Sequence, residues 1–258
     1  MLGNQLFGRF AWLKRQLGHE HFRVAARTPI LPTAIGGGMF DTMEVREIFP
    51  TPLWVVDLAP SVFQPLNARL IASIEKLTTP RPPIALGLTW QTDPFLHQLP
   101  EFADFVALVR KAAKAAIDTM AVEHSGFEIT GCWANINPRG SMNTAHTHPN
   151  NYLSGVYYLQ IPEGAGVISF NDPRSAAGVV MPKQAGPSKY NANGYTLDAR
   201  PGRLVLFPAW LRHAVPINRS ERERISMSFN IMFTGFTEMA KPLWRGRVAR
   251  IDAAVDKA

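Results

Sequence analysis

The chain has 258 residues, of which 46% are hydrophobic and 18% are charged. This is an ordinary globular composition, so a chain that is disordered throughout is excluded, and the length suits one large domain or two small ones. The formal net charge is +7, but residues 1–40 carry +4, residues 239–258 carry +3, and residues 41–238 are neutral. Basicity therefore belongs to the two ends, and we expect no nucleic-acid-binding face on the body.

Cysteine content and hydropathy exclude several further classes. Cys132 is the only cysteine, which rules out an intramolecular disulfide and a zinc site built from cysteines. It favours a reducing compartment, and we expect a cytoplasmic protein. No stretch approaches 18 consecutive apolar residues, so no transmembrane segment is predicted.

The first 42 residues differ in pattern from the rest. Apolar residues recur there at helical spacing among basic ones: Leu2, Leu6, Phe10, Leu13 and Leu17. Such a segment is typical of an amphipathic leader, a membrane-surface helix, or translation from a start upstream of the real one. The break at 36–38, followed by Met39 and Met43, suits the last interpretation. We interpret residues 1–42 as a basic leader, disordered or misassigned, residues 43–238 as the domain, and residues 239–258 as a basic tail.

The domain is predicted to begin with a strand at 53–56 and two helices. Apolar spacing marks the first helix, at Leu66, Leu70, Ile71, Ile74 and Leu77. The second, longer helix starts after Pro100 and runs to Met120.

From Phe127 onward helical periodicity gives way to short β-rich runs. We predict strands over 127–137, 152–161, 166–170, 203–207, 213–217 and 224–233. Helices followed by short strands predict an α+β domain, in which the helices buttress one sheet of a sandwich, barrel or jelly roll. The interval 172–197 has no regular pattern, and a loop of that length predicts a lid or binding loop.

Three histidines of the β-rich half are candidate metal ligands. His146 and His148 form a His-x-His pair, and in an extended segment both side chains point to the same face. An isolated His-x-His motif is more often part of a turn than of a metal site. Here, however, His213 follows 65 residues later in another β-rich run. Near the C-terminal end of the domain, Arg224 and Ser226 share the polar face of an alternating strand. A guanidinium and a hydroxyl two residues apart suit one carboxylate.

The order of these elements resembles the iron(II)- and 2-oxoglutarate-dependent oxygenases. The matching elements are His146-x-His148, Tyr157-Tyr158-Leu159, the run 202–208, His213, and Arg224-x-Ser226. Within that superfamily the chain is most similar to a group of uncharacterised oxygenases of bacteria and phages, through the phrases at 143–149, 154–159 and 224–230. The resemblance spans about residues 44–236 and leaves both basic ends unexplained.

The resemblance implies a double-stranded β-helix, a jelly-roll form, with Fe(II) at its open mouth and with 2-oxoglutarate and O2 as cosubstrates. It implies that His146 is the first metal ligand and His213 the distal one. It also implies that Arg224 and Ser226 bind the C5 carboxylate of 2-oxoglutarate. Tyr158 stands where related prolyl hydroxylases carry a tyrosine to that carboxylate.

Other expectations concern strand 127–137. Asn135 shares its face with Trp133 and Asn137, so these three are candidates to line the cosubstrate or substrate side. For Trp133, core packing is an equal alternative.

One position departs from the family pattern. The usual motif is His-x-Asp or His-x-Glu, whereas this chain has His148 at the carboxylate position. Three interpretations stay open: all three histidines bind the metal, as in thiol dioxygenases; two suffice with water, as in aspartyl hydroxylases; or Asp172 supplies a carboxylate. We favour three histidines because His148 has the spacing of the usual ligand.

The expected activity is hydroxylation of a small-molecule or side-chain substrate, with release of succinate and CO2. One alternative is a three-histidine cupin-type dioxygenase without 2-oxoglutarate, which leaves Arg224 and Ser226 without a role. Another is a non-catalytic metal- or ligand-binding jelly roll. Oligomerisation is compatible with either activity.

Overall fold

The computed structural model describes residues 43–186 and 188–236. The chain divides into two compact units, Met1–Pro50 and Thr51–Ala258. In the first unit, the described residues have no regular secondary structure, and Arg46 donates a hydrogen bond of 2.9 Å to Glu44. The predicted leader over 1–42 and tail over 239–258 lie outside the described residues.

Both predicted helices form in the second unit. Helix α1 spans Pro60–Thr78 and helix α2 spans Ala103–Thr119, preceded by 3-10 turns at Leu96–Gln98 and Pro100–Phe102. Helix α1 starts on proline, whose missing N–H costs nothing in the first turn. Each helix buries one apolar stripe, which includes Leu70 and Ile74 of α1 and Phe105 and Val109 of α2. Among the described residues, no helix is both long and apolar enough to cross a bilayer.

Ten strands make up the rest of the regular structure in the described residues. In chain order they are β1 (Trp54–Asp57), β2 (Trp90–Gln91), β3 (Phe127–Asn137), β4 (Asn143–His146), β5 (Leu153–Gln160), β6 (Val167–Asn171), β7 (Gly194–Asp198), β8 (Arg203–Pro208), β9 (His213–Val215) and β10 (Arg224–Phe233).

The strands form two antiparallel sheets. The six-stranded sheet has the order β1-β8-β5-β10-β3-β2, and the four-stranded sheet has the order β4-β9-β6-β7. One face of the larger sheet, with Tyr157, Met227 and Phe229, packs with both helices in the main core. The opposite face packs Val156 and Phe207 against Phe170 of the smaller sheet. Helices cover one side of the larger sheet and the smaller sheet covers the other, as the expected α+β jelly roll requires.

The interval 172–197 is more ordered than expected. It contains a 3-10 turn at Ser175–Gly178, and β7 begins at Gly194 and pairs with β6 along its whole length. The prediction of an irregular loop up to residue 197 was therefore wrong at its C-terminal end. The run Gly194–Asp198 is short and mostly exposed, so its burial does not mark it as a half-buried strand, and its pairing with β6 defines it.

Candidate functional site

A cavity of about 300 Å³ lies between residues of both sheets. Its lining side chains are mostly apolar or neutral polar, with three histidines and one arginine. The lining residues are Gly87, Leu88, Thr89, Gln91, Trp133, Asn135, Met142, Asn143, Thr144, His146, His148, Gly155, Val156, Ile168, Phe207, His213, Val215, Arg224, Ser226 and Ser228.

The three predicted histidines meet in this cavity. His146 ends β4 and His213 begins β9, and the two residues are directly paired across the ladder of the smaller sheet. His148 follows two residues after β4. One nitrogen of each ring lies within 4.8 Å of the others. Within residues 43–186 and 188–236, this is the one group of three or more His, Cys, Asp or Glu side chains arranged to hold a metal ion.

Backbone carbonyls fix the protonation of two of these rings. Nδ1 of His146 is 2.7 Å from the carbonyl oxygen of Thr144, and Nδ1 of His213 is 2.9 Å from that of Leu211. Because a carbonyl only accepts, each Nδ1 must carry the proton. The lone pair is then on Nε2, the arrangement typical of a metal-binding histidine.

His148 is the third member of the cluster and is buried, at 7% exposure. Its ring stacks on that of His213 with centroids 5.1 Å apart and lies 5.9 Å from the ring of Trp133. Burial lowers the pKa of His148 to about 3 and that of His213 to about 4. Both rings are therefore neutral at pH 7, the form that binds a metal.

Asp172 does not join this cluster. Its carboxylate accepts hydrogen bonds from the side chain of Arg174, at 2.7 Å from Nη2, and from the Arg174 backbone N–H at 2.9 Å. Arg174 holds the pKa of Asp172 below its ordinary value. Asp172 is absent from the cavity lining and from the histidine group, so the structure does not support it as a metal ligand. The carboxylate of Asp172 is already bound by Arg174, two residues along the chain.

Arg224 lies in the same cavity and is 2% exposed. No acidic side chain of the described residues forms an ion pair with it, and its Nε has no hydrogen-bond partner. Its guanidinium carbon is 5.4 Å from the ring centroid of Tyr158, whose hydroxyl is also buried without a partner. Burial raises the pKa of Tyr158 to about 12. Tyr158 contacts Arg224 but is not itself among the residues that line the cavity. A buried guanidinium without an acidic partner among the described residues suits an anionic ligand that accepts hydrogen bonds from it.

Strand register places Ser226 beside this pair. Ser226 is opposite Tyr158 on β5 and opposite Asn135 on β3, while Arg224 is opposite Asn137. The ladder between β5 and β10 shifts by one residue just before Ser226. Alternation then directs Arg224 and Ser226 to the same face, which lines the cavity.

Asn135 is held in a short chain of side-chain hydrogen bonds. Gln91 donates to its Oδ1 at 2.6 Å, and its Nδ2 donates to the hydroxyl of Ser228 at 2.9 Å. All three side chains line the cavity. Gln91 was missed by the sequence reasoning because β2 has only two residues and no periodicity to reveal it.

The other two residues on that face of β3 have different surroundings. Trp133 lines the cavity and contacts the ring of His148. Asn137 does not line the cavity, and its Nδ2 donates to Thr89 at 2.7 Å and to Ser141 at 3.0 Å. The expectation that Asn137 lines the cavity was therefore wrong, because neighbouring loop hydroxyls hold its amide in a structural network.

A family model matches the sequence over residues 131–230, and its description reads "Putative 2OG-Fe(II) oxygenase". The matched segment contains all three histidines of the cluster as well as Arg224 and Ser226. Among curated proteins, none matches the chain.

Solved structures share the fold at low sequence identity. The carbocyclase SnoK from nogalamycin biosynthesis, described as non-heme and alpha-ketoglutarate-dependent, has a TM-score of 0.53 at 11% identity, with 71% of this chain and 80% of SnoK covered. The epimerase SnoN of the same biosynthesis has a TM-score of 0.52 at 13% identity, with 74% and 84% covered. HygX from Streptomyces hygroscopicus, with nickel and 2-oxoglutarate bound, has a TM-score of 0.51 at 15% identity, with 72% and 84% covered.

These structural likenesses confirm the double-stranded β-helix, and the family model adds the sequence match over the strands that carry the site. Over residues 131–230 the chain is thus similar in sequence to a family of 2-oxoglutarate- and iron(II)-dependent oxygenases, and it shares the fold of solved structures described as alpha-ketoglutarate-dependent.

Proposed function

We propose that this protein is a non-haem iron(II)- and 2-oxoglutarate-dependent dioxygenase that hydroxylates its substrate and releases succinate and CO2. The observation that carries the proposal is the presence, in one cavity, of a three-histidine cluster and a buried arginine without an acidic partner among the described residues. A metal ion would satisfy the first, and the carboxylate of a 2-oxo acid would satisfy the second.

In this proposal His146, His148 and His213 hold the iron through Nε2. Three neutral imidazoles are a suitable donor set for Fe(II). When bound, iron supplies the redox chemistry with O2, and the protein supplies orientation and a shielded cavity. The carbonyls of Thr144 and Leu211 fix two of the three rings in the required tautomer.

Arg224, Ser226 and Tyr158 bind the far carboxylate of 2-oxoglutarate. The guanidinium offers a planar pair of N–H donors to the two carboxylate oxygens. The hydroxyls of Ser226 and Tyr158 donate to the remaining lone pairs. Asn135 lies opposite Ser226 in the ladder and lines the same region of the cavity. Anchoring the far end in this way directs the 2-oxo acid end toward the histidines.

The remaining cavity wall is the substrate side. Leu88 and Met142 are 44% and 40% exposed at its rim, and Val215 lies beside them in the lining. We propose a small molecule or a side chain as substrate. Hydroxylation is the simplest outcome, but SnoK and SnoN are described as a carbocyclase and an epimerase, so product analysis belongs to the test. The cytoplasm, as a reducing compartment, suits both ferrous iron and the free thiol of Cys132.

The test uses purified protein loaded with Fe(II) without oxygen. We expect 2-oxoglutarate to produce a visible charge-transfer absorption band, and admission of O2 to release succinate. Absence of both would refute the proposal.

A three-histidine dioxygenase that does not use 2-oxoglutarate is the second candidate, favoured by His148 at the position of the usual carboxylate. Thermal unfolding separates the two, because 2-oxoglutarate stabilises only a protein that binds it. A metal-loaded protein that gains no stability from 2-oxoglutarate would favour the second candidate.

A further inference from the structure

The cavity lining has an unbalanced charge. Among the described residues that line it, Arg224 is the only side chain with a permanent charge, and none is acidic. The hydrogen-bond partners of His146 and His213 are backbone carbonyls. No carboxylate of the described lining therefore neutralises either the arginine or a metal ion on the histidines.

This imbalance persists when the proposed ligands bind. A divalent ion, the 2-oxoglutarate dianion and the Arg224 guanidinium would together sum to +1, so the site as a whole keeps one net positive charge even with Arg224 bound to the far carboxylate. An aspartate in place of His148 would have cancelled it. Two partly buried arginines of the described residues pair with carboxylates: Arg203 with Asp57, and Arg81 with Glu75 and Glu223. Arg224 is more deeply buried than either, at 2% exposure, and has no such partner among the described residues.

A buried cation without a counter-charge is costly, and the low dielectric of a cavity strengthens its attraction for an anion. In the proposed function the three histidines, 2-oxoglutarate and O2 would account for the coordination positions of the metal, which leaves none for a further anion. The substrate is then the remaining source of a compensating negative charge. The rim carries apolar Leu88 and Met142 and the neutral donor side chains of Gln91 and Thr144. Such a lining accommodates an apolar body and hydrogen-bonds a carboxylate without repelling it.

We propose that the substrate is an apolar monocarboxylate, whose charge compensates the cation left by the three-histidine site. This inference rests on the proposed function and deepens it. It excludes cationic and uncharged substrates of the same size as preferred ligands.

The first experiment compares benzoate with its neutral isostere benzamide. The protein is loaded with Co(II) and N-oxalylglycine, an inert analogue of 2-oxoglutarate, and binding is measured by the visible Co(II) spectrum and by thermal unfolding at fixed ionic strength. We expect benzoate to bind about tenfold or more tightly than benzamide, because only benzoate carries the compensating charge. Equal binding of the two would overturn the inference, while failure of N-oxalylglycine to bind would overturn the proposed function itself.

The second experiment changes the charge of the site. His148→Asp supplies the missing negative charge, so the preference for benzoate should fall to about parity with benzamide. Asn150→Asp adds the same charge at an exposed position nearby and should leave the preference unchanged. A preference that persists in His148→Asp would overturn the charge argument. If that variant does not hold Co(II), the comparison in the unmodified protein still decides.

A free inorganic anion is the other source of the same charge. Chloride is therefore titrated against bound benzoate. We expect chloride to displace benzoate no better than ionic strength alone does. Displacement at a concentration that saturates a defined site would overturn the assignment of the charge to the substrate.

Discussion

Arg224 is the most informative side chain of the site at the residue scale. It is 2% exposed, yet it lacks the acidic partner that neutralises Arg203, whose side chain is 12% exposed. Desolvation lowers the pKa of Arg224, but a guanidinium remains charged in proteins. A structural arginine this deeply buried would normally be paired, so the position is best explained by a ligand carboxylate.

Replacing Arg224 with lysine tests that explanation. Arg224→Lys keeps a positive charge but loses the planar fork, so we expect affinity for 2-oxoglutarate to fall about tenfold or more, on the scale of a lost charged hydrogen bond. Metal affinity should change little. Isothermal titration of 2-oxoglutarate into the metal-loaded protein measures the first affinity, and titration of metal into the metal-free protein measures the second. Arg222→Lys, at the exposed neighbouring position on the same segment, is the control and should bind like the parent, whereas normal affinity in Arg224→Lys would contradict the assignment.

The role of His148 is testable by metal content. If all three rings bind the ion, His148→Ala and His146→Ala should each lower metal affinity by at least about tenfold. His124 stacks with Phe233, at 5.5 Å between ring centroids, and is not part of the cavity lining, so His124→Ala should keep full metal content. Equilibrium dialysis against Co(II) followed by elemental analysis gives the answer. Unchanged affinity in His148→Ala would mean that two histidines suffice.

At the scale of elements, β10 organises both the core and the site. It lies between β5 and β3 and pairs with both along most of its length. One face buries Ile225, Met227 and Phe229 toward the helices, while the other presents Arg224 and Ser226 to the cavity. Packing of the apolar face therefore sets the position of the ligand-binding side chains, since alternation ties the two faces together.

Gly155 on β5 is a place where this packing leaves no room. A Cβ there would collide with the ring of Phe229 and lie 2.9 Å from the carbonyl oxygen of Val205. We expect Gly155→Ala to lower the free energy of unfolding by about 1–3 kcal/mol through overpacking. Gly178→Ala is the control, because a Cβ there meets no atom within 4 Å. Urea denaturation compares the two, and equal stability would show that the strands adjust.

An ion pair joins β1, at the edge of the larger sheet, to its neighbour β8. From this ion pair we predict that the stability of the protein is sensitive to acid. Asp57 is opposite Arg203 in the ladder and also contacts Arg200. The hydrogen bonds from Arg203 and Arg200 hold the pKa of Asp57 well below its ordinary value. A carboxyl with a lowered folded pKa stabilises the protein fully above its unfolded pKa, about 3.9, and loses that contribution as the pH falls from there through the folded pKa.

The prediction is that Asp57→Asn destabilises the protein more at pH 7 than at about pH 2. Urea unfolding at both pH values measures the difference. Asp93 forms no ion pair among the described residues, so Asp93→Asn should show no such pH-dependent penalty. A penalty for Asp57→Asn that is the same at both pH values would contradict the linkage argument.

At the scale of the whole molecule, ligands should stabilise the domain in a fixed order. The histidines belong to the smaller sheet and its adjoining loop, while Arg224 belongs to the larger sheet. A metal ion and 2-oxoglutarate bound together would therefore join the two sheets. At 100 times its dissociation constant each ligand adds about 2.7 kcal/mol, a rise in Tm of about 5–11 °C for a domain of this size.

We accordingly expect Co(II) alone to raise Tm, and 2-oxoglutarate to raise it again only when Co(II) is present. A chelator should return Tm to the starting value. Scanning calorimetry measures each step, and succinate, which lacks the 2-oxo group, is the matched control that should add little. An equal rise from 2-oxoglutarate without metal would contradict this order of binding.

Local patterns in the sequence account for much of the fold. The apolar spacing around Leu70 and Ile74 specified α1, and the strict alternation from Arg224 to Phe233 specified β10 with its bounds. The order of histidines, arginine and serine pointed to the superfamily. Each of these depends on residues close together in the chain, where periodicity directly reflects which face is buried.

The tertiary structure decided what depends on distant partners. Strand β7 is defined by its pairing with β6, Gln91 enters the cavity only because β2 pairs with β3, and Asp172 is lost as a metal candidate to Arg174. The family resemblance of the sequence also placed His148 where the usual motif has a carboxylate. Only the structure revealed that the described lining of the cavity contains no acidic side chain to supply the missing carboxylate. The burial and pairing of a charge are properties of the packed cavity and not of any local sequence pattern.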